Sequence, residues 1–309
     1  MTEPPTQPKA RLPRYHRAAD YPALRLGRPE HRLLLALARY HYLTAAQCTR
    51  LLYQPSSLSF TREHLKRLYH GGFVDRVFVP ALTPAGSPLP VYCLDRLGFA
   101  YVAAQDAAPE GRFRSAEQAQ REWYFMRHFL ASNDFLIAAE RLTEQVDGLR
   151  LAEMRHEREL KRTPLVVSVD GDRVGLVPDA WLDLRRRQEE GELQACFALE
   201  LDYSGGVNRT KWQRRIAAYL VAAGTVYPQA FGTPSLTVCV LVRASERRLA
   251  QLLSWTEAVL NARQAQAQAD LFRFAYADPA TLAPAALFGQ PGWQRPFERQ
   301  PVRLLRFTT

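Results

Sequence analysis

Long apolar runs are missing from this chain. No window reaches the roughly 18 residues that a membrane-crossing helix needs, so no span is expected. The opening stretch, MTEPPTQPKARLPRYHR, is polar and proline-rich and lacks the apolar centre of a secretory signal. A cytoplasmic location is therefore expected. Cysteine is scarce too. Cys48, Cys93, Cys196 and Cys239 are the whole supply. No two have the close spacing of a zinc site. In a chain this long they are expected as reduced, mostly buried thiols. No internal repeat is visible, so a stacked-repeat architecture is not expected.

Positive charge is plentiful. The 309 residues hold 41 Lys+Arg against 31 Asp+Glu, a formal net charge of +10. Such an excess favours a polyanionic partner, most simply nucleic acid. A general habit of arginine-rich surfaces would give the same total. A hydrophobic fraction of 47% and a charged fraction of 23% suit a soluble globular protein, and the length allows two domains.

Residues 1–26 read as a flexible basic arm carrying Lys9, Arg11, Arg14, Arg17 and Arg25. Residues 27–104 read as the first domain. Pro29 suits the first turn of a helix that continues through the apolar run 31–42. Thr44 and Gln47 form a capping box for a second helix that stops at Pro55. A third helix runs from about Ser59 to Gly71-Gly72, whose glycines supply the left-handed stop. It turns Leu65, Leu68 and Tyr69 inward and Arg62, Lys66 and Arg67 outward. Two strands around a Pro/Gly turn at 81–90 follow. Three helices and a hairpin make a winged helix-turn-helix, whose third helix enters the major groove of DNA. A winged helix used only for protein contacts fits the same pattern.

Residues 105–115 read as the linker. The second domain, 116–277, opens with a long, nearly all-apolar helix over 116–146, interrupted by His128, Asn133 and Asp134. Strands are expected at 149–157, 165–169, 173–184, 196–203, 236–242 and 271–276. Asp170-Gly171-Asp172 is the turn between the second and third of these. A charged loop spans 185–193, and helices cover 208–223 and 245–261. This order is an α/β layer with a mixed sheet. From Asp278 to residue 309 the chain reads as an irregular tail.

Side chains alternate across a strand, so Glu200 and Asp202 share one face. Asp179 meets Glu200 if the strands on either side of the charged loop pair. Clustered carboxylates repel unless a cation or a proton compensates them. A Mg²⁺ ion held by Asp179 and Glu200 would do so, and would polarise a phosphate and activate a water. Lys211, Arg214 and Arg215 lie near the N-terminal end of the 208–223 helix, an end that attracts anions in its own right. Gly205-Gly206 just before it allows a tight turn. The bland readings are a Pro178-Asp179 pair that ends a turn and a Glu-x-Asp that is a solvated strand face.

Taken together, Pro178-Asp179, Glu200-Leu201-Asp202 and Lys211 resemble the metal-site core of the PD-(D/E)xK nuclease-like fold. Asp202 stands where the usual lysine would be, and Lys211 could replace that lysine from the helix. The implied fold is an N-terminal winged helix-turn-helix followed by a restriction-endonuclease-like mixed-sheet domain. Over residues 30–245 the chain also resembles the replication-relaxation family of bacterial plasmids and integrative elements. The likeness rests on the winged helix, on the segment from Arg127 to Phe135 with its His-x-Leu-x-x-Asn-Asp pattern, on Pro178-Asp179-Ala180, on Leu199-Glu200-Leu201-Asp202 and on the helix from Lys211 to Tyr219. That family shows Glu-x-Asp, in agreement with Asp202.

The resemblance implies an accessory protein that binds double-stranded DNA in plasmid replication, relaxation or mobilisation. Arg62, Lys66, Arg67, Lys211, Arg214 and Arg215 would contact the DNA. A relaxase or a replication protein is the implied protein partner, and a homodimer is open. The alternatives are a Mg²⁺-dependent endonuclease or nickase using Asp179, Glu200, Asp202 and Lys211, and a protein-binding adaptor or transcriptional regulator.

Overall fold

Helix α1 (Arg28–Tyr40) starts at a Gly27 cap with Pro29 in its first turn, as the sequence requires. In the computed structural model, residues 12–14, 16–80, 88–105, 123–189, 191–203 and 206–305 are described. The chain divides into two units, 1–123 and 124–309. In the first unit, β1 (Leu43–Thr44) leads into α2 (Ala45–Leu52). The capping box closes as expected: the Gln47 N–H donates to Thr44 Oγ1 at 3.1 Å, and Gln47 Oε1 accepts from the Thr44 N–H at 3.0 Å.

After a short 3-10 turn, α3 (Leu58–His70) buries Leu65, Leu68 and Tyr69. It ends in a Schellman motif. The Phe73 N–H reaches Leu68 O at 3.0 Å, the Gly72 N–H reaches Tyr69 O at 3.2 Å, and Gly72 takes a φ of 78°. Strands β2 (Val74–Val79) and β3 (Leu89–Leu94) pair antiparallel, and β1 joins on the other side of β3, giving the order β1-β3-β2. Helix α4 (Arg96–Ala103), capped by Asp95, follows the strands. A Cβ on Gly98 would lie 2.0 Å from the Phe73 carbonyl oxygen, so only glycine lets α4 approach so closely. This element order is compatible with the expected winged helix-turn-helix. Residues 81–87 of the expected wing turn lie outside the described residues, as do residues 106–122 of and beyond the expected linker.

The expectation of a free arm does not hold at Arg17. Its guanidinium donates to Tyr69 O at 2.9 Å and to Val74 O at 3.0 Å, and it pairs with Asp95. The Ala18 N–H donates to His70 Nδ1 at 3.1 Å. The end of α3 and the start of β2 present carbonyls and a carboxylate together, and a guanidinium fork satisfies them at once. Residues 1–11 of the arm are outside the described residues.

The second unit opens with α5 (Trp123–Thr143), which buries Met126, Phe129, Leu130, Phe135, Leu136 and Ile137, as its nearly all-apolar sequence predicts. Five strands form its main sheet: β4 (Leu149–His156), β7 (Ala180–Gln188), β8 (Gly191–Asp202), β9 (Thr237–Val242) and β10 (Phe272–Tyr276). Their order is β10-β9-β8-β7-β4. β8, β9 and β10 run parallel, while β7 is antiparallel to both of its neighbours. The parallel part is built by α7 (Arg209–Gly224) and α9 (Glu246–Ala262), which follow β8 and β9 and pack on one face. The short helices α6 (Glu157–Leu160) and α8 (Val226–Phe231) complete this half.

Three expectations are corrected. The single strand over 173–184 is two. β5 (Leu165–Val169) and β6 (Asp172–Leu176) form a separate hairpin across a turn in which Asp170 and Gly171 both have positive φ, while β7 belongs to the main sheet. Val177-Pro178 makes the break, since proline offers no N–H to a ladder. The charged loop at 185–193 is mostly paired strand. Arg186 faces Leu193 and Arg187 faces Glu192, and Arg150 and Arg185 both reach Glu192. Opposite charges on adjacent strands support the pairing there.

The expected irregular tail is packed over its described residues, 278–305. Helix α10 (Pro284–Gly289) buries Leu287 and Phe288, Gln294 bridges to Phe274, and the Trp293 indole donates to Leu287 O at 2.7 Å. Phe288 lies 5.2 Å from the Phe135 ring and 6.3 Å from the Phe197 ring.

All four cysteines are free and buried, as expected. Burial pushes the Cys48 and Cys196 thiols up to about 12. No helix among the described residues is long and apolar enough to cross a membrane. A packed tail predicts a large cost for Phe288→Ala, about 3–5 kcal/mol in urea unfolding. A loose tail would show almost none.

Candidate functional site

The register of β7 on β8 builds this site. Asp179 sits one residue before β7, and its N–H donates to Leu199 O at 2.9 Å. Its side chain then accepts the Leu201 N–H at Oδ2, 2.7 Å away. Glu200 lies between those two contacts on β8, so the two carboxylates come together, as the sequence led one to expect. Helix α7 supplies the opposite charge. Arg215 and Tyr219 are four apart and share a face of the helix. Arg215 Nη1 donates to Glu200 Oε2 at 2.6 Å, and the Tyr219 hydroxyl donates to Oε1 at 2.5 Å. Arg215 Nη2 also reaches Val177 O at 3.2 Å. From α5, His128 Nε2 lies 3.1 Å from Asp179 Oδ1.

Asp202 takes a different partner. It shares the face of Glu200, yet Arg248 of α9 grips it through Nε at 2.9 Å and Nη2 at 2.8 Å. The expectation of a third carboxylate beside a metal therefore meets a buried ion pair. Lys211 is exposed on the first turn of α7, where the Asn208 side chain caps its N–H at 2.9 Å. It forms no ion pair among the described residues, and the cation at the carboxylates is Arg215. Arg214 pairs with the exposed Asp172 at 3.1 Å. Gly205 lies outside the described residues.

The first-unit candidates all lie on α3 and differ in their surroundings. Arg62 is exposed, and Lys66 lies 3.9 Å from Glu63. Arg67 is held at 3.0 Å by Glu30, a carboxylate only 2% exposed that also binds His64 at 2.7 Å.

Burial, the strongest influence on Glu200, pushes its carboxyl up to about 7; Asp179 adds to this, and Arg215 and Tyr219 oppose it. Glu200 in turn holds the Arg215 guanidinium more firmly charged. Burial and the Glu200 charge keep the Tyr219 hydroxyl protonated, so it remains a donor. For Asp179, burial works upward, but His128, Arg215 and the Leu201 N–H outweigh it and hold the carboxyl below its ordinary range. For His128, burial works downward, and Asp179 outweighs it and raises the imidazole.

The chemistry of these donors bears on a metal. Each oxygen of Asp179 and of Glu200 already has a partner in the protein, and two of those partners are cationic groups. Among the described residues no group of three His, Cys, Asp or Glu side chains is arranged to hold an ion. The set as folded does not fit Mg²⁺, which would have to displace Arg215 or His128. From the sequence, His128 is only a polar interruption of a long apolar helix, Tyr219 only the end of a family-like helix, and Arg215 a DNA contact. The available signal was the four-residue spacing of Arg215 and Tyr219 on the helix that follows Glu200.

The raised His128 stabilises the fold fully below its ordinary value of 6.5, and this is lost as pH rises through its folded value. Ring-proton NMR should place its titration above 6.5 in the wild type and lower in Asp179→Asn; an unchanged titration would break the pairing argument. Arg215→Ala leaves Glu200 buried without its cation. Because the Arg215 side chain is 34% exposed, the expected cost in urea unfolding is at most about 3 kcal/mol, the low end for broken buried pairs. Adding Glu200→Gln should recover part of it.

No curated protein and no solved structure matches the chain. The model of one family, replication-relaxation, matches residues 34–233. That stretch runs from α1 through the β5–β6 hairpin, Asp179 just before β7, Glu200 on β8, and α7 with Arg215 and Tyr219. It covers well over half of the sequence, and the chain belongs to the replication-relaxation family.

Proposed function

We propose that this protein binds double-stranded DNA as a cytoplasmic accessory factor in the replication, relaxation or mobilisation of a plasmid or other mobile element. One observation carries the reading. Residues 1–123 hold 17 of the Lys+Arg and 10 of the Asp+Glu, so seven of the ten net positive charges fall in the smaller unit. In that unit α3 exposes Arg62, with Lys66 four residues on along the same face. A helix of that kind, in a unit with the element order of a winged helix-turn-helix, suits phosphate and base contacts in a major groove. Arg67 is engaged with Glu30, so Arg62 and Lys66 are the contacts this reading needs.

The Asp179–Glu200 centre serves in this proposal as a charge-compensated anchor, not as a cutting site. Arg215 and His128 occupy the carboxylate oxygens that a metal would use. Lys211, exposed on the first turn of α7, offers the second unit's contact to DNA. Membership of the family supports a relaxase or a replication protein as the protein partner.

Fluorescence anisotropy on a duplex at several salt concentrations tests the reading. Affinity should fall steeply with salt, and the Arg62→Ala/Lys66→Ala double variant should lower the log–log slope by about two, close to one per lost phosphate contact. Salt-insensitive binding would reject it. Supercoiled plasmid incubated with Mg²⁺ should stay intact. Cutting that disappears in Asp179→Ala would favour the endonuclease alternative.

A further inference from the structure

A cleft of about 330 Å³ opens between the β5–β6 turn, α7 and the C-terminal end of α9. Its size is at the lower end of ligand sites. Ala217 and Val259 give it a small, apolar floor. Its rim is polar and sorted by sign. The hairpin turn contributes two carboxylates, Asp170 and Asp172, and the helices contribute two guanidiniums, Arg214 and Arg263.

The rim pairs are half used. Arg214 Nη2 meets Asp172 Oδ2 at 3.1 Å, and Arg263 Nη2 meets Asp170 Oδ2 at 2.5 Å. Each contact joins one nitrogen to one oxygen, although a guanidinium and a carboxylate can pair through two of each. Both carboxylates are also open to water, at 73% and 74% exposure for Asp172 and Asp170. Ion pairs that exposed hold their partners weakly, so a ligand can enter between them at little cost.

What enters must have flat apolar faces for the floor, a donor edge for the carboxylates and an acceptor edge for the guanidiniums. Guanine has all three. Its N1–H and N2 amino group suit a carboxylate, and its O6 and N7 suit an arginine in the bidentate manner. α7 links the cleft to the proposed nucleic-acid surface. Gln213, Arg214 and Ala217 face the cleft, while Lys211 lies exposed on an adjoining flank of the same helix. A backbone phosphate at Lys211 would leave the next base close to the cleft mouth.

We infer that this cleft is a pocket for an unstacked guanine base of a single-stranded or locally opened nucleic acid, held between Asp170/Asp172 and Arg214/Arg263. The inference rests on the nucleic-acid reading above and adds a base-specific subsite to it.

Full-length protein and short single-stranded oligonucleotides with one guanine test it, read by anisotropy. Replacing that guanine by hypoxanthine removes the N2 amino group, and replacing it by 7-deazaguanine removes the N7 acceptor. Each should weaken binding to the wild type by about tenfold, within the range of a lost base-edge contact. Asp170→Ala/Asp172→Ala should abolish the hypoxanthine penalty and keep the 7-deazaguanine penalty. Arg214→Ala/Arg263→Ala should do the reverse. Equal affinity of the wild type for all three oligonucleotides would overturn the inference, as would penalties that persist in both variants. If salt-dependent binding survives in those cases, only the guanine pocket is lost. If no oligonucleotide or duplex binds at all, the nucleic-acid reading fails with it.

Discussion

A carboxylate enclosed at the centre of a sheet is the constraint around which the second unit is arranged. Glu200 is 2% exposed, and in that setting an unaccompanied charge is among the most costly things a fold can contain. The arrangement supplies a guanidinium, a phenol and a neighbouring strand register together. Arg215 and Tyr219 require α7 to lie across β8 at one rotation. The Leu201 N–H on Asp179 requires β7 to meet β8 in one register. A slip of one residue would turn Glu200 to the other face of the sheet. The polar pair thus acts on specificity, selecting one packing, while the apolar layers between the sheet and its helices supply most of the stability.

Much of this could be read in the sequence because the signals were local. Alternation placed Glu200 and Asp202 on one face, and the Thr44–Gln47 box fixed the start of α2. The meeting of Asp179 with Glu200 followed from strand pairing alone. What stayed hidden depends on contacts distant in sequence. Arg248 lies 46 residues from Asp202, and no spacing rule connects them. Charges at 185–193 read as a loop because each was taken alone, whereas across β4, β7 and β8 they neutralise one another. The tail read as irregular because α10 is short, although Phe288 and Trp293 are almost fully buried.

The two units divide the electrostatic work differently. In the second, arginines are largely consumed by carboxylates, as at Glu200, Asp202 and Asp270. The first has fewer acids to spend its arginines on. Its internal requirements are met at Glu30 by His64 and Arg67, and at Asp95 by Arg17, and Arg62 remains exposed beyond them. The positive excess that suggests a polyanionic partner therefore belongs to a particular part of the molecule and not to the composition as a whole.

The Arg17 clamp alters where the first unit can be said to begin. One guanidinium ties the last turn of α3, the entry to β2 and the cap of α4 through three acceptors. A fragment started at the first helix would strip those acceptors of their common donor and leave three secondary-structure ends to be solvated separately. The eleven residues from Arg17 to Gly27, which composition alone would invite one to trim, thus belong inside the folding unit.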